Sequence, residues 1–328
     1  MMAREWGWWT EQKLDILSGY LTGFANATRK AGTTVYLDLF AGQPDNVSRE
    51  PTRHMIRGSA RRALDTSPPF SVLKFFEMPG HATALEKNLQ AEYPGRDFRV
   101  IPGDCNDEVE SVLQGLRPLN WAPTFAFLDQ QSTEVKWATL EHLARFKRQG
   151  KPKAELWLLC ASGLLPRGLR LRQELIDDNV ACQMSLMFGT DQWQEALSAT
   201  RSGRLSATEF RAELTNLMRW RLQKDLGYKV TRVFKVKNTS GSEIFDMIFA
   251  TDHEVGDKIM KWMYSKAQKQ QGALQDRARR QRQQKREEEQ GKFGLFNAED
   301  ALPVMPTGFD VHAADEPAHP PYRASRTS

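Results

Sequence analysis

The sequence predicts an α/β fold: a doubly wound, mostly parallel sheet closed by a C-terminal antiparallel hairpin. Three observations carry this. Short apolar runs alternate with helix-length amphipathic stretches from Val35 to Leu159. Four of those runs deliver an acid at their end: Asp38, Glu77, Asp104 and Asp129. Two period-two runs, Lys229–Val236 and Glu243–Thr251, then face each other across the small polar turn Asn238-Thr239-Ser240-Gly241-Ser242.

Thr10 is a candidate N-cap for the first helix, and Leu14, Leu17, Tyr20, Leu21 and Phe24 recur behind it at helical spacing. Residues 1–34 are expected to form a helical cap over one end of the sheet, anchored by Trp6, Trp8 and Trp9 as packing residues. The run Val35–Phe40 reads as a buried strand that ends in the turn Ala41-Gly42-Gln43-Pro44. Gly42 lets backbone amides approach a ligand, and Asp38 can accept from an amine or a hydroxyl; the same pattern also fits an ordinary strand-to-helix turn. A long loop from Gln43 to Arg57 follows, with Ser59 as the N-cap of a helix to Leu64. Arg49, Arg53, Arg57, Arg61 and Arg62 cluster here, either as a solvated face or as an anion contact.

The second strand ends at Glu77, with a helix over Ala82–Glu92 behind it. The third leads into Gly103-Asp104-Cys105-Asn106 and a helix from Asp107 to Gly115. The fourth, Thr124–Leu128, delivers Asp129 and is followed by a helix over Lys136–Phe146. The fifth runs from Ala154 to Leu159 and reaches Cys160. In an open parallel sheet the carboxyl ends of the strands converge on one crevice, so four acids at four strand tips point to a shared site.

A helical insertion is expected at about 165–225, then the hairpin, then a helix from Glu254 to about Ala267. Residues 35–267 would thus be one α/β domain, and 268–328 a charged helical extension with a disordered, proline-rich tail. The basic tract Ala278–Arg286 reads as a solvated helix or as a nucleic-acid contact that salt would weaken.

Composition sets the bounds. The chain has 328 residues, 46 basic against 41 acidic, a net charge of +5 and a pI near 9.0, which permits nucleic acid without requiring it. No apolar run is long enough to span a bilayer, and the N-terminus does not read as a signal peptide, so no membrane partner is expected. Cys105, Cys160 and Cys182 form neither a metal-ligand pattern nor a disulfide framework and fit a reducing, cytoplasmic setting. Cys160 has apolar neighbours, which favours a buried structural thiol over a nucleophile. The histidines lack paired spacing, so no metal site is expected; His253 reads as a residue that caps or packs near the hairpin's exit. The first turn lacks the three-glycine dinucleotide fingerprint, and clustered acids with a lysine at nuclease spacing are not found.

With these elements in place, the chain resembles the three-Cys-motif partner protein family across most of residues 8–264. The likeness rests on Trp9-Thr10-Glu11 with Lys13 and Leu17, on Tyr36–Gly42, on Gly58-Ser59 and on Gly103-Asp104-Cys105-Asn106. It continues through Phe127-Leu128-Asp129, Phe188-Gly189 with Trp193, and Phe249–His253. The family is similar to class I S-adenosylmethionine (AdoMet)-dependent methyltransferases, and is named for genes that accompany a radical-AdoMet-like protein with a three-cysteine motif. The resemblance implies AdoMet as cofactor. Asp38 and Gly42, with Phe40 beside them, would hold its amino-acid end, and Glu77 its ribose hydroxyls. Asp104 would accept from the adenine amine, Cys105 and Asn106 would flank the ring, and Asp129 would sit beside the sulfonium and the incoming methyl acceptor as the catalytic residue.

The chain departs from the family at Gln43-Pro44, where another small residue is usual, and at Gln130-Gln131, where proline and glycine are usual. It also lacks the acid-or-amide, two prolines and aromatic of base-amine methyltransferases. Two readings follow: a methyltransferase with an unidentified acceptor, nucleic acid among the candidates, or a degenerate fold partner of the radical-AdoMet-like protein.

Overall fold

The computed structural model describes residues 5–48, 54–163, 178–237, 243–289 and 316–323. The chain opens with β1 (Glu5–Trp6) and the 20-residue helix α1 (Trp8–Ala27). Its N-cap is Gly7, not Thr10: the Thr10 amide already donates to the Gly7 carbonyl at 3.0 Å. Strand β2 (Val35–Asp38) is fully buried. The predicted loop to Arg57 instead contains β3 (Asp45–Ser48) and β4 (Met55–Arg57), an antiparallel pair. With β1 lying parallel to β3, they form a small three-stranded sheet. Helix α2 (Ser59–Leu64) starts one residue earlier than predicted; Gly58, not Ser59, is its N-cap, and the Ser59 hydroxyl donates to the Ala41 carbonyl at 3.4 Å.

The main sheet continues with β5 (Val72–Glu77), helix α3 (Pro79–Glu92), β6 (Phe98–Pro102), helix α4 (Cys105–Gly115), β7 (Thr124–Leu128), helix α5 (Trp137–Arg145) and β8 (Glu155–Cys160). Helices α6 (Asp178–Phe188), α7 (Trp193–Arg201) and α8 (Ala207–Lys224) follow. The first part of the expected helical insertion, 165–177, lies outside the described residues. Helix α8 starts at a capping box in which Ser206 and Glu209 bond each other's backbone amides. Strands β9 (Val230–Lys237) and β10 (Glu243–Thr251) form the predicted antiparallel pair, and the turn 238–242 lies outside the described residues.

The seven strands are ordered β6-β5-β2-β7-β8-β10-β9, parallel except for β10, which runs against both neighbours. This is the methyltransferase-like sheet expected from the sequence. The chain winds outward from β2 through β5 to β6, then returns to the other side of β2 at β7. The reversal leaves a crevice above the carboxyl ends of β2 and β7. The central strands β2, β7 and β8 are buried along their whole length because helices cover both faces, which explains their continuous apolar runs.

The last helix, α9 (Glu254–Glu289), is 36 residues long and runs unbroken from the helix expected to about Ala267 into the segment expected as a charged helical extension. His253 is its N-cap, with Nδ1 accepting from the Val255 amide at 3.2 Å. It runs antiparallel to α1. Tyr20 of α1 lies near the helix's start beside Glu155 and Gly256, whereas Gln12 donates to the carbonyl of Ala267 at 3.0 Å. Gly19 and Gly23 let Met263 and Ile259 sit directly on the α1 backbone.

Glu155 opens β8 at the end of the sheet away from the crevice. Its carboxyl is buried and accepts from the hydroxyls of Tyr20 and Thr251. Burial pushes its pKa up to about 7, against the pull of those two hydrogen bonds. The folded chain therefore holds a proton that the unfolded chain releases above a pH of about 4.3, so stability falls as pH rises from there toward 7. Between pH 5 and 8 the melting temperature of the native chain should drop. Glu155→Gln keeps the shape and should make that slope shallower without abolishing it, because Asp38 is raised to about 7 as well; an unchanged slope would show that Glu155 is not titrating there.

Candidate cofactor cleft

The crevice is a cleft of about 790 Å³, within the range of roughly 300–1,000 Å³ usual for small-molecule sites. The β2 turn, the tips of β5, β6 and β7, and α1 build its walls. Phe40, Gly42, Glu77, Asp104, Cys105 and Asp129 line it, so six of the eight residues picked from the sequence meet here. Backbone bonds lock the strand tips into one rim. The Ala41 amide donates to Phe76, Leu39 to Phe127, and Gly103 to Glu77, at 2.9–3.0 Å.

Gly42 has φ +64°, which favours glycine. A β-carbon there would meet nothing closer than the Phe40 carbonyl at 3.9 Å, so the space above the turn is open. Pro44 does not break this turn, since its carbonyl accepts from the Gly58 amide at 2.8 Å. Gly58 in turn must lack a side chain: a β-carbon would lie 2.5 Å from the Gln43 carbonyl and 3.0 Å from that of Pro44. Gly58-Ser59 is therefore the support on which the first turn rests.

Two predicted residues sit elsewhere. Asp38 is completely buried beneath the cleft floor. Its carboxylate accepts from the Tyr36 hydroxyl at 3.2 Å and from the Phe40 amide at 3.3 Å. Burial pushes its pKa up to about 7; Ser59 opposes this, and the Asp129 charge reinforces it. Asn106 lies behind the rim. Its amide donates to Asp104 and to the Glu134 carbonyl, while its oxygen accepts from the Lys136 amide and the Thr139 hydroxyl. Asp104 itself is the N-cap of α4, accepting from the Asn106 amide at 2.9 Å. Cys105 is buried on the cleft wall, and burial pushes its thiol up to about 12, so it offers an apolar surface and no thiolate.

Sequence reasoning missed the partner of Asp129. Lys13 of α1 reaches across the cleft and donates to both its carboxylate oxygens, at 2.6 and 2.5 Å. The lysine side chain is only 7% exposed and the aspartate 21%, so the pair is shielded from solvent screening. The ammonium also lies 5.6 Å above the Phe245 ring. The signal was in the sequence: Lys13 belongs to the Trp9-Thr10-Glu11 motif, but nothing in a linear reading pairs positions 13 and 129. Gln130 is a structural brace, donating to the Leu159 carbonyl and accepting from the Val135 amide.

The remaining candidates resolve simply. Arg57 pairs with Asp65 and Glu92, Arg61 with Asp45 and Glu92, and Arg62 with Asp15, so these three tie α2 and β4 to α1 and α3. Arg49 and Arg53 lie outside the described residues. Cys160 is buried and its thiol is raised to about 12 by burial and then by Asp246, in keeping with a structural role. Among the described residues no group of His, Cys, Asp or Glu could hold a metal ion, and no helix is long and apolar enough to cross a membrane.

No family model matches this sequence, and no curated protein does. Solved structures similar to this chain include the following two. One is TYW2 of M. jannaschii in complex with AdoMet, at 13% identity and a TM-score of 0.34, covering 70% of this chain and 75% of that one. The other is protein LPL1258 of Legionella pneumophila, described as DUF519, at 10% identity and a TM-score of 0.43, covering 75% and 88%. At these values the fold assignment rests on the strand order itself.

Proposed function

We propose that the cleft binds AdoMet and that the chain is a methyltransferase of the three-Cys-motif partner type. The observation that carries this reading is the convergence of the open Gly42 turn, Glu77, Asp104 and Asp129 at the carboxyl ends of adjoining parallel strands. The donor set fits the cofactor. Glu77 stands at the β5 tip, where a carboxylate accepts from a ribose diol. Asp104 and the apolar Cys105 suit an adenine amine and ring face, and Phe40 and Gly42 suit the amino-acid end. Asp38 acts from below, holding the Phe40 amide and so the shape of the turn. The bound cofactor would supply an electrophilic methyl group. Asp129, with Lys13 fixing its orientation, would face the acceptor.

Isothermal titration should show AdoMet binding in the native chain, weakened about tenfold or more by Glu77→Ala, since a hydrogen bond to a charged group contributes roughly 1.5–3 kcal/mol. Absence of heat at millimolar AdoMet would end the reading.

Two observations favour a second reading, a partner protein that retains the fold without turnover. The Lys13 ammonium occupies both oxygens of Asp129, and Gln130 is consumed as a brace. On this reading AdoMet binds, no methyl is transferred, and the chain co-purifies with a radical-AdoMet-like protein. Transfer of labelled methyl to any acceptor would exclude it.

A further inference from the structure

We propose that the exposed face of α9 binds single-stranded nucleic acid and carries it across the mouth of the cleft. The charge of the chain is concentrated there. Between Lys258 and Arg286 the helix has ten Lys or Arg and one acid, Asp276, while Glu254 and Asp257 at its start and Glu287–Glu289 at its end bracket this basic stretch. Lys258, Trp262, Lys266 and Lys269 recur at i, i+4, i+8 and i+11, and all four are exposed, so they form one stripe. Met260, Met263, Tyr264 and Ala267 occupy the opposite, buried side.

Trp262 is 61% exposed, with the Lys266 ammonium 5.4 Å from its ring centroid. A protein does not need an exposed indole for packing, and the adjoining cation does not cover it. An aromatic ring amid spaced lysines is the chemistry that stacks an unpaired base while neutralising its phosphates. Paired bases are unavailable for stacking, which selects single strands over duplex.

The placement relates this stripe to the cleft. The bond from Gln12 to Ala267 fixes α9 beside the segment of α1 whose Trp9, Thr10 and Lys13 line the cleft. From there the helix continues through Gln268–Glu289, 22 residues, or about 33 Å at ~1.5 Å per residue. Arg277, Arg279, Arg280, Arg282, Lys285 and Arg286 lie on that projection. The purpose assigned to the contact, presenting an acceptor, rests on the methyltransferase reading; the binding itself does not.

The test is fluorescence anisotropy of a labelled 20-nucleotide RNA, the matching DNA strand and the DNA duplex with the full chain, without AdoMet. Single strands should bind more tightly than duplex, with affinity falling steeply as salt rises. The triple variant Lys258→Gln/Lys266→Gln/Lys269→Gln should bind at least tenfold more weakly and lower the salt slope by about 2, at ~0.7 per lost single-strand phosphate contact. Trp262→Ala should weaken single-strand binding about tenfold, and Trp262→Phe should restore most of it. Circular dichroism melts confirm that each variant is folded. Wild-type affinity in the triple variant, equal binding of duplex and single strands, or no binding at low salt would each overturn the proposal. Because no cofactor is present, failure here leaves the AdoMet titration standing, and failure of that titration leaves this binding standing.

Discussion

Lys13→Met should destabilise the chain by about 2 kcal/mol, because it leaves the Asp129 carboxylate without its cation in a cleft wall that water reaches only partly. A fully buried pair would lose more; the partial exposure of Asp129 reduces the cost. Met keeps the length and apolar stem of the lysine, so packing against Phe245 changes little. Asp129→Asn should cost a similar amount by leaving the ammonium uncompensated. The double variant should recover much of the loss, since neither charge then lacks a partner. Urea denaturation of the four proteins gives the coupling directly, and additivity within about 0.5 kcal/mol would show that the pair is not an energetic unit. Transfer of labelled methyl by the native chain separates the two functional readings, since both bind AdoMet. If Lys13 only positions Asp129, Lys13→Met retains cofactor binding and loses methyl transfer.

Gly58→Ala should damage both stability and ligand binding, for a reason unlike that at Gly42. The backbone of Gly58 is ordinary, with φ −69°, so any residue could adopt it. Space is the obstacle: the new methyl would sit 2.5 Å from one backbone carbonyl and 3.0 Å from the next. Backbone cannot rotate away as a side chain can, so β3 or α2 must shift, at roughly 1–3 kcal/mol. That shift moves the Gln43-Pro44 turn and should weaken AdoMet binding along with stability. Gly42→Ala has room but the wrong φ, and should cost about 1 kcal/mol through backbone strain alone. A Gly58→Ala protein with wild-type melting temperature would show that α2 is not pressed against the turn.

The sequence by itself determined the sheet. Apolar runs that end in acids, separated by helical periodicity, leave few topologies, because crossovers between parallel strands are right-handed and ligands gather at their carboxyl ends. Glu77, Asp104 and Asp129 could be named for the site because their distance from the end of an apolar run fixes their height in the sheet. Height alone did not say which way a side chain points or how deep it lies. Asp38 has the same sequence signature as the others, yet it lies beneath the floor because it is still within β2, paired on both sides with β5 and β7, and the turn folds over it.

The β3–β4 pair within the Gln43–Arg57 segment was hidden because its short strands carry no regular alternation. The Lys13–Asp129 pair spans 116 positions and depends on how α1 lies across the sheet. The charged helix was read from composition, but its position beside the cleft was set by the antiparallel packing of α9 on α1. Periodicity and propensity act within a few residues and so are written locally. Burial, charge pairing and the sharing of one cleft act between distant residues, and only tertiary packing decides them.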